Sequence, residues 1–159
     1  MAVETGTEAP DFALYTNKRE RFQLSDYRDK QNVLLLFFPG AFTSVCISEL
    51  SAVNGELEAY GGDATQIVGV STDSPFVLEE FRTVHKFQFP LLSDHDAVVS
   101  DLYGAKYHHD FTPMKLDRIS KRAVFLVDKT GKVQYAEVLD NAGELPDFDA
   151  IKQVIASLN

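Results

Sequence analysis

Cys46 is the only cysteine in the sequence, and Pro39, Thr43 and Cys46 follow one another at intervals of four and three residues. The thiolate, not the thiol, is the nucleophilic form of cysteine. A cysteine with the reference pKa of about 8.5 is only a few per cent thiolate at neutral pH, so a reactive one needs neighbours that favour the anion. Thr43 stands about one helical turn before Cys46 and can present its hydroxyl on the same side. Further along, Arg122 offers a permanent cation with a fork of donors. The histidines give two other chemistries. His85, His108 or His109 beside Cys46 would make a hydrolase or acyl-transferase nucleophile, and histidine with Asp110 would make metal ligands. No known ligand spacing supports either, and adjacent His108 and His109 point differently on most backbones. Each residue also has a plain role: a buried structural cysteine, a capping threonine, a strand-ending proline, a surface arginine beside Lys121.

The elements around Cys46 weigh against the reading of a buried structural cysteine. Val33 to Phe38 is a six-residue apolar run without polar alternation, which predicts a central strand buried on both faces. Pro39 and Gly40 end it. Ile47, Leu50, Val53, Leu57 and Tyr60 then recur at intervals of three or four, which predicts one helix face running to Gly61-Gly62. Cys46 therefore belongs where a strand-to-helix loop becomes the first helical turn. There the unpaired N–H groups and the positive end of the dipole favour an anion.

The rest of the chain predicts an α/β fold with a central mixed sheet flanked by helices. Residues 1 to 10 read as a loosely held lead-in, and Ala9 to Leu14 as extended. Lys18 to Arg21 is a charged turn, read as a solvated hairpin tip rather than an anion site. Phe22 to Leu24 is a short strand, with Ser25 to Tyr27 a single helical turn that Ser25 can cap. Gln66 to Ser71 predicts a second buried strand. Ser74-Pro75 then opens a helix carrying Val77, Leu78, Phe81, Val84 and His85. Phe89 to Asp94 is a short extended piece, and Asp94 or Asp96 can cap a helix through Val98, Val99 and Leu102 that Gly104 ends. Tyr107 to Ser120 has no period and reads as a long loop. Ala123 to Val127 predicts a third buried strand, turned by Asp128 to Gly131 into a partner over Lys132 to Leu139. Pro146 opens a last helix with Phe148, Ile151, Val154, Ile155 and Leu158 on one face.

Composition narrows the function. With 159 residues, 45% hydrophobic and 25% charged, the sequence suits one domain over 1–159 with a sizeable core. A net charge of −9 with no basic cluster argues against nucleic acid. No apolar run approaches the ~20 residues of a membrane helix. The first residues lack the pattern of a signal peptide, and a single cysteine excludes an intrachain disulfide and a multi-cysteine metal site. A reducing, cytoplasmic setting is the expectation.

The phrase Pro39-x-x-x-Thr43-x-x-Cys46, with Arg122 at the head of a late apolar strand, resembles the active-site signature of the peroxiredoxins, the thiol-dependent peroxidases. The resemblance extends from near Ala9 to Leu158 and implies a thioredoxin-like fold. It implies that Cys46 attacks a hydroperoxide and becomes a sulfenic acid. Thr43 and Arg122 would hold the peroxide, with N–H groups near Val45 and Cys46 sharing the load, and Pro39 would shape the pocket and exclude water. Glu49 matches a position often acidic in the family and would pair with Arg122. Ser51 stands where Q-type (bacterioferritin-comigratory) members often carry a second cysteine, so no resolving cysteine is available. The resemblance is therefore to the one-cysteine, AhpE-like or Q-like branch. It implies an external thiol reductant: thioredoxin, glutaredoxin or a low-molecular-weight thiol. No cofactor or metal is implied, and the assembly expected is a homodimer. The competing reading is a peroxide-sensing redox module of the same fold; a third is a non-catalytic scaffold.

Overall fold

The computed structural model describes residues 3–158. The apolar run after Gln31 is strand β3 (Asn32–Phe37), and every residue in it is buried. Alternate side chains face opposite layers, as the pleat requires. Val33, Leu35 and Phe37 enter one hydrophobic cluster, while Leu34 and Leu36 enter the other, joined by Phe38 just beyond the strand. The expectation of a strand buried on both faces therefore holds, and β3 sits near the middle of the sheet.

The other strands are β1 (Ala13–Thr16), β2 (Arg21–Gln23), β4 (Thr65–Ser71), β5 (Leu91–Ser93), β6 (Arg122–Val127) and β7 (Val133–Leu139). All seven form one sheet in the order β2-β1-β5-β4-β3-β6-β7. The central pairs β3–β4 and β4–β5 are parallel, and the outer pairs are antiparallel. This is the mixed sheet the sequence predicts. Parallel β3 and β4 bring their carboxyl ends, and the loops that follow them, to the same edge, where open α/β sheets build their sites.

Among the described residues, four α-helices cover the sheet: α1 (Ser44–Asn54), α2 (Pro75–His85), α3 (Val98–Leu102) and α4 (Phe148–Ser157). Leu50 and Val53 of α1, Leu78 and Phe81 of α2, and Ile151 and Ile155 of α4 pack on Leu34 and Leu36. Phe12, Phe22, Leu24, Val99 and Tyr103 cover the opposite face. Gly69 in β4 is required by this packing: a Cβ there would lie 2.7 Å from Leu91 Cδ2 and 3.2 Å from a Phe38 ring carbon. The β6–β7 turn also follows the sequence reading. Gly131 has φ +90°, and Asp128 Oδ1 accepts from the N–H groups of Thr130 and Lys132.

Four details differ from the sequence reading. The helix expected to reach Tyr60 stops at Asn54, and Leu57–Tyr60 is a separate 3₁₀ turn. Apolar spacing of three is common to both helix types, so the period runs through the break unchanged. Ser25 caps nothing; its backbone N–H donates to Asp11 Oδ1, and the short 3₁₀ turn starts at Leu24. Asp94 acts on α3 from three residues before Ala97, accepting from the N–H groups of Val99 and Ser100. Finally, the lead-in is tied down where it is described. Gly6 N–H donates to Val133 O and Ala9 N–H to Gly131 O, both at 2.8 Å, while Val3 N–H donates to Tyr103 O. These bonds satisfy backbone groups that the sequence alone left unassigned. Residues 1, 2 and 159 lie outside the described residues.

Candidate active site

Cys46 is the third residue of α1 and is completely buried. The first three N–H groups of a helix have no partner inside it, and no side chain caps this end. Ile47 is the first whose N–H closes a helical bond, to Thr43 O at 2.9 Å. Sulfur thus lies within a cluster of unused donors at the positive end of the dipole.

Thr43 occupies the cap position with extended backbone, yet its hydroxyl does not cap. It donates instead to Gly40 O at 2.7 Å. A carbonyl only accepts, so the threonine proton is committed and the hydroxyl oxygen retains its lone pairs. The capping role open to Thr43 from sequence is therefore not taken up. Pro39 is buried two residues after β3, while Thr43 is exposed and Val45 half-buried. Between them, Phe42 has φ +62°, a left-handed conformation that a bulky residue rarely adopts. Its ring rests 5.0 Å from that of Phe81, centroid to centroid.

Arg122 begins β6 and reaches across the sheet edge to α1. It is 1% exposed and is among the largest fully buried side chains. Nη1 donates to Cys46 Sγ at 3.4 Å and to Glu49 Oε1 at 2.8 Å. Nε donates to Glu144 O at 3.0 Å, and Nη2 to Ala142 O at 2.9 Å. A guanidinium has five N–H donors. These contacts engage four of them and leave one on Nη2 for a further acceptor. The surface-residue reading of Arg122 does not hold.

Glu49 lies one turn after Cys46 and is wholly buried. Oε1 faces Arg122, but Oε2 has no partner among the described residues. A carboxylate with one unsatisfied oxygen in a buried setting resists ionisation. Burial, reinforced by the negative charge of Glu137 and opposed by Arg122, pushes the Glu49 pKa up to about 7. Arg122 moves the other way from burial alone: the attraction of Glu49 and Cys46 outweighs its desolvation and holds its pKa above the ordinary value. It stays a cation throughout.

The remaining candidates are elsewhere. His85 stacks on Phe87 with ring centroids 5.6 Å apart, next to Phe42 rather than Cys46. His108 and His109 face Asp101 and Asp117, each at 3.5 Å. Neither Cys–His chemistry nor a histidine–Asp110 ligand set is assembled: Asp110 instead accepts from the His108 backbone N–H. Ser51 is exposed on α1. Five residues is about 140° around a helix, so it faces away from Cys46. A cleft of about 480 Å³ beside Lys18 and Arg21 lies apart from this site. The sequence did not reveal the carbonyls of Ala142 and Glu144, because a backbone acceptor has no residue-type signature. Nor did it reveal Asp73, whose Oδ2 accepts from Ala41 N–H at 2.8 Å. A carboxylate just past a buried strand on the carboxyl edge was the available signal.

One cysteine opening the helix after a central strand, with an arginine donating to its sulfur, defines a thiol-centred protein on a mixed α/β sheet. The AhpC/TSA family model matches residues 5–136. Alkyl hydroperoxide reductase E of Mycobacterium tuberculosis is 34% identical over 159 residues, covering 98% of each chain. Peroxiredoxin Bcp of Escherichia coli is 30% identical over 133 residues, covering 84% of each. The crystal structure of a peroxiredoxin-like protein from Aquifex aeolicus shares the fold with a TM-score of 0.87 at 24% identity, across 100% of this chain and 90% of that one. The chain belongs to the AhpC/TSA family and is a peroxiredoxin, a thiol-dependent peroxidase with the thioredoxin-like fold and a single cysteine.

Proposed function

We propose that this protein reduces hydrogen peroxide and organic hydroperoxides through a Cys46 sulfenic acid that an external thiol recycles. The observation that carries this reading is the Arg122 Nη1 hydrogen bond to Cys46 Sγ at the uncapped start of α1. The Cys46 thiolate attacks one peroxide oxygen. An S–O bond forms and the O–O bond breaks; the leaving oxygen takes the bonding pair and the proton of the attacked oxygen to become water or an alcohol, and the sulfenate left on Cys46 takes a proton from solvent to become the sulfenic acid. Sulfur is oxidised by two electrons as the peroxide is reduced. A first external thiol then displaces water from the sulfenic acid to give a mixed disulfide, and a second thiol releases Cys46.

Charge builds on the leaving oxygen in the transition state, so donors aimed there lower the barrier. The free Nη2–H of Arg122 and the N–H groups of Val45 and Cys46 supply them. Thr43 acts with the opposite polarity: its proton is held by Gly40 O, so its oxygen accepts from the peroxide O–H and aligns the attack. Pro39 closes the pocket to water. Glu49 holds Arg122 in place. The chemistry rests on side chains and needs no cofactor or metal.

The chain acts as a single domain over 1–159. A homodimer through the face beside the site is supported by exposed Phe42, with Val77 and Val84 exposed on α2. The absence of a basic cluster and a net charge of −9 fit a protein without nucleic-acid partners. Among the described residues, no helix is long and apolar enough to cross a membrane, and a cytoplasmic location completes the proposal.

Stopped-flow mixing of reduced protein with stoichiometric hydrogen peroxide, followed by mass spectrometry of Cys46, tests the reading. Fast conversion to sulfenic acid, absent in Cys46→Ser and reversed by thiol, is expected. Oxidation no faster than that of a free thiol, with hydrogen peroxide and with an organic hydroperoxide, would sink it. A peroxide-sensing module would oxidise equally fast but fail to consume peroxide continuously with any thiol donor.

A further inference from the structure

We propose that Asp73 is a positioning residue for peroxide reduction, acting on Thr43 through the Gly40–Ala41 peptide. This inference rests on the peroxidase reading above. One peptide unit joins the two side chains. Its N–H, on Ala41, donates to Asp73 Oδ2 at 2.8 Å, and its carbonyl, on Gly40, accepts from the Thr43 hydroxyl at 2.7 Å. The two hydrogen bonds are therefore in series across one planar group. Were the peptide to rotate, both would break together, and Thr43 would lose the acceptor that turns its oxygen toward substrate.

Asp73 is itself held from three sides. Ser71 Oγ donates to Oδ2 at 2.7 Å and accepts from the Asp73 N–H at 3.2 Å. Ser93 Oγ donates to the Asp73 carbonyl at 2.6 Å. Ser71 ends β4 and Ser93 ends β5. The carboxylate thus fastens the loop after β3 to the end of β4, and the Asp73 backbone carbonyl ties the same residue to the end of β5.

The fastening has mechanical and electronic consequences. Phe42, next in the chain, keeps its left-handed φ of +62° between the two bonds. A bulky residue holds such a conformation only where its surroundings over-determine it. A charged acceptor on the N–H also polarises the peptide toward its carbonyl, which strengthens the bond from Thr43. Asp73 need not touch the peroxide to matter; it sets which way the Thr43 oxygen faces.

The test compares two reactions of Cys46. Peroxide needs Thr43 for alignment, whereas alkylation by iodoacetamide needs only an accessible thiolate. Asp73→Ala is expected to slow peroxide oxidation about tenfold while leaving alkylation within about twofold. Asp73→Asn, whose amide oxygen still accepts from Ala41, should recover to within about threefold of the parent. In a Thr43→Val background, Asp73→Ala should cost less than about threefold, because the group it acts through is gone. A parent-like peroxide rate in Asp73→Ala overturns the inference. So does an equal loss in both reactions, or an undiminished tenfold loss without the threonine hydroxyl. Should Asp73→Ala not fold, hydrogen exchange of the Ala41 amide in the unmodified protein decides. Exchange at least about tenfold slower than a free amide supports the clamp, and exchange at the free rate overturns it. A slow parent in the peroxide arm fails the peroxidase reading itself, and the positioning role falls with it.

Discussion

Helices α1 and α2 are of equal length, 11 residues each, and both start just past a buried parallel strand, yet their first turns are finished differently. At α2, Ser74 Oγ accepts from Val77 N–H, Pro75 fills the first position, and Arg82 and His85 sit in the last turn against the negative end of the dipole. At α1 the threonine in the equivalent place turns its hydroxyl to Gly40 O and no base stands in the last turn; neither helix has an acid in its first turn. A lost side-chain cap is worth about 1 kcal/mol. The α2 start is built to persist; the α1 start keeps its donors available, and Cys46 lies among them. The same backbone geometry is capped in one place and left open in the other, and the choice depends on where one hydroxyl points.

That contrast predicts a graded set of effects. Arg122→Met should be largest, because it removes the cation from the α1 start and leaves Glu49 buried without its partner. We expect peroxide oxidation to fall by about 10²–10³ and the urea unfolding free energy by about 3–5 kcal/mol. A parent-like rate would show that the uncapped turn acts alone.

Next comes the pH dependence of Glu49. Its folded pKa of about 7 lies above the ordinary 4.5, so the folded state binds the proton more tightly. The resulting stabilisation is full below about pH 4.5 and is lost as pH rises to about 7. In a Cys46→Ser background, stability relative to Glu49→Gln should decline by roughly 3 kcal/mol across that window. A relative stability that instead rises with pH would make Glu49 a carboxylate fully satisfied by Arg122.

The direct comparison of caps is smaller. Thr43→Val should slow peroxide oxidation by about 10–100-fold while changing stability by less than about 1 kcal/mol. Ser74→Ala should do the reverse, lowering unfolding free energy by about 1 kcal/mol with the peroxide rate unchanged. If both variants lose stability equally and rate equally, the two helix starts are not specialised.

Much of this architecture could be read from residue patterns, for identifiable reasons. The interiors of β3, β4 and β6 (Val33 to Phe37, Ile67 to Val70 and Ala123 to Val127) are buried on both faces, so polar residues stand only at the strand ends. Pro39, Thr43 and Cys46 are close in sequence, and short spacings survive translation into space. Arg122 and Glu49 belong to distant segments, 73 residues apart, and only a family pattern suggested they meet. The end of α1 was hidden because Leu57 and Tyr60 extend its apolar rhythm past Gly55. The chain entry was hidden for a different reason: its hydrogen bonds run backbone to backbone, with no side chain to announce them. Asp73 escaped notice because its role depends on two loops being neighbours, which follows from the parallel pairing of β3 and β4.

The complete burial of Cys46 carries one more consequence. A peroxide is small, but a reducing thiol on another protein is not, and the oxidised sulfur must come to the surface to meet it. Under the proposed recycling, a protein thiol would reach Cys46 only while the first turn of α1 is unwound, and the apparent recycling rate would scale with the unwound fraction. An opening free energy of about 2.7 kcal/mol would leave roughly one molecule in a hundred ready at any instant. The missing cap at Thr43 would raise that fraction, tying the catalyst's duty cycle to the fraying of a single helical turn.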